Sequence, residues 1–167
     1  AANPLAGTWK ITPVAGSLSV GPEKGSAAWW SIPEGDIATR ACYFDDQYVF
    51  GTDGSFSNVM GAQTWVEGWQ SGAAAACATP VAPHNGATAT YTYDTTAGTL
   101  VINGSGAFIG LAKAVNDGEL ATQQDTRSSV PIPSSLTYEV TIVDANNITV
   151  HIGIGGGAYW NYKLTKE

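Results

Sequence analysis

Apolar and polar residues alternate most regularly in the last third of the chain. The runs SLTYEVTIVD, ITVHIGI and YWNYKL each place an apolar residue at every second position, and the stretches ANN and GGGA separate them. A period of two residues indicates strands that bury one face. Because the intervening turns are short, this region predicts an antiparallel meander of three strands.

The first two thirds of the chain contain two further hairpin patterns and an opening strand. QYVF and SFSNVM flank the dipeptide Asp53-Gly54, which is typical of a tight hairpin turn. ATATYTYD and TLVING flank a turn that contains Gly98, and GTWKITP forms a short first strand. We expect AQTWVEGWQ to continue the same sheet. About eight to ten strands, with helix content below about 15%, predict a closed barrel or a sandwich.

Three long connections interrupt these strands. Residues 14–41, 71–86 and 104–134 lack alternation and are rich in glycine, proline and small residues. Within them we expect EGDIATRA to form one helical turn and FIGLAKAV to form a short strand or helix. Long connections in compact domains are usually functional, so these segments are the first candidates for a binding site.

Composition and charge narrow the classes of function. The 167 residues suffice for one domain with a sizeable core, and only 13% are charged, whereas six are Trp and seven are Tyr. This composition is typical of a β-rich extracellular protein. A net charge of −7 without a basic stripe excludes nucleic acid as a partner, and no apolar run reaches the roughly 18 residues of a membrane span. We expect residues 1–167 to form a single domain excised from a larger secreted protein.

The chain has two cysteines, Cys42 and Cys77. A separation of 35 residues is not a metal-ligand spacing, which leaves two buried free thiols or a disulfide. The extracellular composition favours the disulfide. It would tie the segment that contains Trp29 and Trp30 to the loop SGAAAACATP.

Several strand motifs match a known family. LAGTWKI opens the chain, DDQYVFGTDGSFS follows Cys42, YDTTAGTLVING forms the second hairpin, and YWNYKLTK lies at the end. Together they resemble the lipocalin-like domains of secreted Bacteroidetes proteins. The resemblance implies an all-β, antiparallel up-and-down (lipocalin-like) barrel of about eight to ten strands with three long connecting loops, in a secreted or cell-surface protein.

The long connections carry a second resemblance. AAWWS, TRACYFDD, TPVAPHNG and FIGLAKAVN are similar to modules appended to marine bacterial glycoside hydrolases. This similarity implies a place in a polysaccharide-degrading protein. Fold does not determine function, so the ligand has to be argued from individual residues.

The residues that catalysis needs are sparse. The chain has two histidines, and His151 alternates with the apolar row of a strand, which predicts an ordinary surface or pore-lining residue. Asp45 and Asp46 are adjacent in a predicted strand and face opposite sides, so they cannot flank one glycosidic bond. We interpret them as strand-end residues that cap or pair, with ligation of a structural Ca²⁺ as the alternative. We expect no enzyme activity.

The remaining candidates for ligand-binding residues are aromatic side chains. Trp9 and Trp160 lie in the first and last strands and are assigned to the core. The other four tryptophans lie in or beside the long connections: Trp29, Trp30, Trp65 and Trp69. The apolar face of a sugar ring stacks on a planar aromatic ring, while polar side chains bond its hydroxyl groups. The polar partners that we expect nearby are Glu67, Gln70, His84 and Asn85.

These four tryptophans have two interpretations. They either plug the end of the barrel under the long loops or contact a ligand. Trp29 and Trp30 are neighbours in an irregular segment, so we expect one to anchor the loop and the other to be presented to solvent.

The sequence therefore predicts a non-catalytic carbohydrate-binding module that binds a neutral or weakly charged polysaccharide. We expect a monomer that is covalently linked to other domains. A lipocalin-style carrier of a small apolar ligand is one alternative, although it needs an unfilled barrel interior and the inward rows carry bulky residues. A structural or adhesive domain without a ligand is the other.

Overall fold

The computed structural model describes residues 3–86, 88–123 and 125–167. Across these residues the chain forms sixteen strands and three short helices. The strands are β1 (Gly7–Ile11), β2 (Leu18–Gly21), β3 (Trp30–Ser31), β4 (Gln47–Phe50), β5 (Ser55–Val59), β6 (Thr64–Val66), β7 (Ala76–Ala78), β8 (Thr88–Asp94), β9 (Thr99–Asn103), β10 (Ala114–Val115), β11 (Gly118–Glu119), β12 (Ala121–Gln123), β13 (Thr126–Arg127), β14 (Ser135–Asp144), β15 (Asn147–Gly155) and β16 (Ala158–Lys166). The helices are α1 (Glu34–Thr39), α2 (Ala41–Phe44) and α3 (Gly68–Ser71).

Eight antiparallel strands close into a barrel. Their order is β1, β4, β5, β8, β9, β14, β15 and β16, and β16 pairs with β1 to complete the circle. β2 and β3 extend the sheet beside β16, which gives ten strands in this sheet. Helix accounts for 9% of the residues and strand for 46%. The predicted all-β barrel of eight to ten strands is confirmed, and so is the low helix content.

The strand β2 is the main element that the sequence pattern missed. It pairs with residues 159–162 of β16, while β1 pairs with residues 164–166 of the same strand. β1 and β2 therefore lie end to end along one edge of β16, and residues 14–41 are not the single irregular connection that we expected. Ser17, Leu18, Ser19 and Val20 do alternate, but β2 has only four residues, which is too short a pattern to predict a strand by itself.

One further expectation about the connections needs correction. AQTWVEGWQ does not continue the main sheet, because β6 pairs with β7 in a separate two-stranded sheet. FIGLAKAV, expected as a short strand or helix, contains the short strand β10 at its last two residues, which pair with β11. The expected helical turn in EGDIATRA is present as α1.

Bulky side chains occupy the barrel interior. Trp9, Tyr48, Tyr138 and Tyr162 are fully buried, and so are several phenylalanines and aliphatic residues between them. Phe50 packs edge-to-face on Phe56 and on Tyr91, with ring centroids 5.0 Å and 4.9 Å apart. Each buried side chain of this size stabilises the fold by about 1.5–3 kcal/mol. The interior thus serves as the hydrophobic core.

The two ends of the barrel differ. The short turns after β4, β8 and β14 lie at one end, where Trp9 donates a hydrogen bond from Nε1 to the carbonyl oxygen of Leu5 (2.8 Å). Because neighbouring strands are antiparallel, the long connections β3–β4, β5–β8 and β9–β14 all lie at the other end, which we call the loop end.

The third connection is packed directly on the core at the loop end. Gly110 has φ +76°, and a Cβ at this position would approach the ring of Tyr162 to 2.5 Å. The backbone amide of Ile109 donates a hydrogen bond to the hydroxyl of Tyr138 (2.9 Å). Glycine thus allows the connection to close over the buried tyrosines.

The predicted disulfide is confirmed. Cys42 in α2 is bonded to Cys77 in β7, with a Cα–Cα distance of 6.0 Å. It links the first long connection to the second at the loop end. The disulfide therefore joins two segments that lie close together but do not pair with each other as strands of the barrel.

Candidate functional site

A cleft with a volume of about 330 Å³ opens at the loop end. Side chains from all three long connections and from β2 and β16 line it, and we call it the tryptophan cleft. Its lining residues are Val20, Trp30, Asp36, Arg40, Glu67, Leu111, Lys113 and Trp160. The site is thus assembled from distant parts of the chain.

Strand pairing sets the orientation of Trp30. β3 pairs with β2 so that Trp30 lies opposite Val20, and the indole packs edge-on against Trp160 with ring centroids 6.0 Å apart. Successive residues of a strand face opposite sides. Trp29 accordingly points away and is 60% exposed. The expected division holds in the geometry: one tryptophan anchors the segment and its neighbour is presented to solvent.

Trp160 forms the part of the cleft wall next to Trp30. Only 6% of it is exposed, its Nε1 donates to the Glu119 carboxylate (3.2 Å), and its ring lies nearly parallel to that of Tyr162. The Lys113 ammonium lies 5.2 Å from the ring centroid and 3.7 Å from Glu119. The sequence assigned this tryptophan to the core alone. Trp160 follows closely after the turn between β15 and β16, and this closeness to a turn was a clue in the sequence that it lies at the mouth of the barrel.

Arg40 is held between two indole rings. Its guanidinium carbon lies 4.7 Å from the centroid of Trp65 and 6.0 Å from that of Trp30. Its side chain is only 15% exposed, and the contact with Asp36 is long, at 3.9 Å. Within the described part of the chain the guanidinium makes no hydrogen bond. Its N–H groups are therefore free to bond a ligand in the cleft.

Arg40, Asp36 and Lys113 are functional candidates that sequence reasoning missed. Asp36 and Arg40 are four residues apart in the expected helical turn, but only the folded arrangement brings Lys113 to them. The one available signal was indirect: basic residues are scarce, at seven in the whole chain, and Arg40 and Lys113 lie in the connections next to apolar residues.

Glu67 lies at the boundary between the cleft and a smaller chamber. It is buried, and its carboxylate accepts a hydrogen bond from Nε1 of Trp69 (3.3 Å). The side chain of Gln70 accepts a hydrogen bond from the backbone amide of Glu67 (3.2 Å), which fixes the start of α3. The hydrogen bond from Trp69 holds the carboxylate in place without consuming all of its acceptor sites, and the contact with Gln70 fixes the backbone of Glu67.

The chamber has a volume of about 20 Å³, enough for one water molecule. Three of the predicted ligand residues, Trp65, Gln70 and His84, line it rather than the cleft, and Glu67 lines both. The indole nitrogen of Trp65 is buried and has no hydrogen-bond partner among the described residues. The chamber is too small for a sugar, so these side chains form the floor under the cleft.

His84 and Trp69 pack together at the side of the chamber. The imidazole lies 5.9 Å from the Trp69 ring and 5.7 Å from the Phe108 ring. Burial, together with the charge of Arg127, lowers the pKa of His84 to about 4, so the imidazole is neutral at pH 7. Asn85 is exposed beside it. His84 is thus a packing residue in this arrangement, and neither it nor Asn85 lines the cleft.

Asp45 and Asp46 do not lie in a strand, contrary to expectation. Asp45 and Asp46 follow α2 and precede β4, with Asp45 exposed and Asp46 buried. Burial raises the pKa of Asp46 to about 8; the hydrogen bond from Thr64 opposes this shift and the charge of Asp45 adds to it. A protonated carboxyl is a poor cation ligand, and Ca²⁺ takes six to eight oxygens. Among the described residues no cluster of three or more His, Cys, Asp or Glu side chains could hold a metal ion.

The expectation for His151 was wrong. It faces outward from β15 but is buried, because the turn between β2 and β3 covers it. Its Nδ1 donates to the side-chain oxygen of Asn161 (2.6 Å), which also accepts from the backbone amide of Gly25 (2.8 Å). Its Nε2 then accepts from the hydroxyl of Thr141 (3.0 Å). Burial lowers the pKa of His151.

The fold and the site define a closed antiparallel barrel with a tryptophan-walled cleft at one end. No protein-family model matches the chain, and no match was found among curated proteins. In the described residues no helix combines the length and the apolar character that crossing a membrane requires.

Proposed function

We propose that the protein is a non-catalytic carbohydrate-binding module that binds a neutral or weakly charged glycan in the tryptophan cleft. The observation that carries the proposal is the arrangement of Trp30 and Trp160, whose rings are 6.0 Å apart, beside four charged side chains in one open cleft. Aromatic faces and hydrogen-bonding groups are the two features by which proteins hold sugar rings.

The aromatic part supplies the apolar contact. Trp30 is half-buried and Trp160 is only 6% exposed, so the contact comes mainly from the open part of the Trp30 ring, and each Å² of apolar area buried there gains about 25 cal/mol. The volume of about 330 Å³ falls at the lower end of small-molecule sites, which suits one or two sugar residues of a longer chain. Because the cleft is open, a polysaccharide is able to extend beyond it.

The polar part supplies partners for hydroxyl groups. Arg40 and Lys113 are donors, Asp36 and Glu67 are acceptors, and the formal charges of these four side chains sum to zero. A charge-balanced cleft favours hydroxyl groups over fully ionised ligands. Together with the net charge of −7, this supports a neutral or weakly charged glycan.

The same contacts support binding without catalysis. The Glu67 carboxylate accepts a hydrogen bond from Trp69 and so has a fixed partner, and Asp36 lies 3.9 Å from the cation of Arg40. Glycoside hydrolysis requires one carboxyl whose pKa is raised and a second one opposite it. The carboxyl with a raised pKa, Asp46, is buried and does not line the cleft.

Two features support a secreted or cell-surface location. The Cys42–Cys77 disulfide persists in oxidising compartments, and the low content of charged residues is common outside the cell. The closed eight-stranded barrel supports the lipocalin-like resemblance, although bulky side chains fill the interior that a carrier would need. We further propose that the module is monomeric and linked to other domains of a polysaccharide-degrading protein.

A neighbouring pair of tryptophans provides the test. Wild type, Trp30→Leu and Trp29→Leu are screened on a glycan array and then titrated by calorimetry with the best neutral oligosaccharide. We expect Trp30→Leu to lose about 1–3 kcal/mol of binding free energy, and Trp29→Leu, which alters an exposed ring outside the cleft, to bind as wild type does.

Folding is checked in the same experiment. Thermal unfolding must show that the Trp30→Leu protein is folded at the temperature of the titration. If wild type binds no glycan on the array, the structural or adhesive alternative takes the place of the proposal. If Trp29→Leu loses binding while Trp30→Leu keeps it, the ligand is held on the outer surface and the cleft is not the site.

A further inference from the structure

The disulfide and the Arg40–Trp65 contact join the same two segments side by side. Cys42 follows Arg40 by two residues, across the start of α2. On the other side, Cys77 lies directly opposite Trp65 in the ladder of β6 and β7. The guanidinium carbon stands 4.7 Å from the Trp65 ring. The disulfide therefore sets the distance between the segment that carries Arg40 and the hairpin that carries Trp65.

Little else holds the outer part of these segments. α1, which precedes Arg40, has six residues, none of them fully buried; Ile37 packs partly against the core, and the helix has no side-chain hydrogen bond at its N-cap. β7 has three residues, none of them buried, and β6 and β7 form a sheet of only two strands. Helices this short and isolated two-stranded hairpins are marginal on their own.

The inner neighbours are anchored independently. Tyr43 and Phe44 of α2 are buried in the core, and so are Thr64 and Val66 of β6. Loss of the disulfide should therefore leave the barrel and these anchors in place. The parts released are α1 with Arg40 on one side and β7 on the other.

We propose that the Cys42–Cys77 disulfide is a positioning element of the tryptophan cleft: it fixes Arg40 against Trp65 so that the guanidinium faces the ligand. This inference rests on the proposed glycan site and deepens it. Without the bond, the long and flexible arginine side chain has to be ordered by the ligand itself, which weakens binding. The role differs from general stabilisation, because it acts through one side chain.

A double-mutant cycle separates positioning from stability. The four proteins are wild type, Cys42→Ala/Cys77→Ala, Arg40→Met, and the variant that combines all three changes. Methionine keeps most of the length of the arginine stem and removes the charge. Each is titrated with the same neutral oligosaccharide at a temperature where thermal unfolding shows it to be folded.

We expect removal of the disulfide to weaken binding about tenfold when Arg40 is present, the size of one cation–π contact, and at most about twofold in the Arg40→Met background. Equal losses in both backgrounds would overturn the proposal, because the bond would then act independently of Arg40. Unchanged affinity in the Cys42→Ala/Cys77→Ala protein would overturn it as well.

A measurement without ligand keeps the test independent of the proposed function. The indole N–H signals of Trp65 and Trp9 are compared by ¹H–¹⁵N NMR in wild type and Cys42→Ala/Cys77→Ala. We expect the Trp65 signal to shift or broaden, and the Trp9 signal, whose donor is bonded to Leu5 at the opposite end, to stay unchanged. If neither signal moves, or if both move together, the local positioning role is refuted, even if no glycan binds and the proposed function fails separately.

Discussion

Asp46 accepts a hydrogen bond from the Thr64 hydroxyl through one carboxylate oxygen, while its other oxygen is buried without a partner among the described residues. Burial raises the pKa of this carboxyl to about 8, so the folded protein keeps a proton that the unfolded chain releases above pH 4. Stability therefore falls as pH rises from about 4 to about 8. At most the slope is about 1.4 kcal/mol per pH unit.

His84 has the opposite effect on stability over part of this pH range. Its pKa is lowered to about 4 in the folded state from 6.5, so the unfolded chain binds more protons and stability rises between pH 4 and 6.5. His151, whose pKa is also lowered by burial, adds to this rise. We predict that the free energy of unfolding, measured with urea, changes little or rises slightly from pH 4 to 6.5 and falls from pH 6.5 to 8.

The variant Asp46→Asn isolates the carboxyl. Its side-chain oxygen still accepts from Thr64, but it binds no extra proton, so the fall between pH 6.5 and 8 should disappear while the rise below pH 6.5 becomes steeper. A wild-type stability that increases from pH 6.5 to 8 would show that Asp46 is ionised in the folded protein and that its pKa is not raised.

The Cys42–Cys77 bond makes a prediction about stability and one about thiol content. The unfolded, unreduced protein should show no free sulfhydryl on titration with a thiol reagent. Reduction, or the Cys42→Ala/Cys77→Ala variant, should lower the free energy of unfolding by about 4 kcal/mol, because the closed loop of 35 residues then regains its freedom in the unfolded chain. Two titratable thiols in the unreduced protein would contradict the bond and weaken the proposed secreted location.

Gly110 allows a third prediction, with a matched control. Both Gly110 and Gly156 have positive φ, +76° and +63°, but a Cβ at Gly110 would meet the Tyr162 ring, whereas no atom lies within 4 Å of one at Gly156. Gly156→Ala should cost about 1 kcal/mol for the backbone conformation alone. Gly110→Ala adds an overpacked contact of about 1–3 kcal/mol, so its total cost should be clearly larger in chemical denaturation. Equal costs would mean that the third connection does not rest on the core.

The hairpins could be predicted from local information. Alternation and a turn dipeptide such as Asp53-Gly54 act within ten residues, and the strands β4 and β5 follow them. β2 could not be predicted in this way, because its pairing with β16 joins residues about 140 positions apart and its own four residues are too short a pattern. Barrel closure, rather than local propensity, determines that it is a strand.

The candidate site, too, could be predicted from the sequence only in part. Sequence reasoning found tryptophans in the connections, and the structure brings Trp30 and Glu67 to the cleft, but Trp65 and His84 to the floor beneath it. A tryptophan in a connection looks the same in sequence whether it faces a ligand or the core. Only the pairing of β3 with β2 decides that Trp30 turns inward.

The charges of the cleft lead to a last prediction, about polyanions. Arg40 lies 3.9 Å from Asp36, and Lys113 lies 3.7 Å from Glu119, so each cation already faces a carboxylate. An anionic polymer would meet these carboxylates and the net charge of −7 before it reached the cations. Wild type should therefore bind DNA, heparin or alginate only weakly at physiological salt, as measured by fluorescence anisotropy or calorimetry.

The matched variant for this prediction is Asp36→Asn/Glu119→Gln. It keeps the size of both side chains and removes the two negative charges that face Arg40 and Lys113. Its affinity for a uronate-containing oligosaccharide should rise relative to wild type and decrease as salt is added, because the attraction is electrostatic and screened. Affinity for the best neutral oligosaccharide should not rise, because the two substitutions add no attraction for an uncharged ligand. Tight binding of a polyanion by wild type would refute the charge argument, because the carboxylates would then fail to shield the two cations.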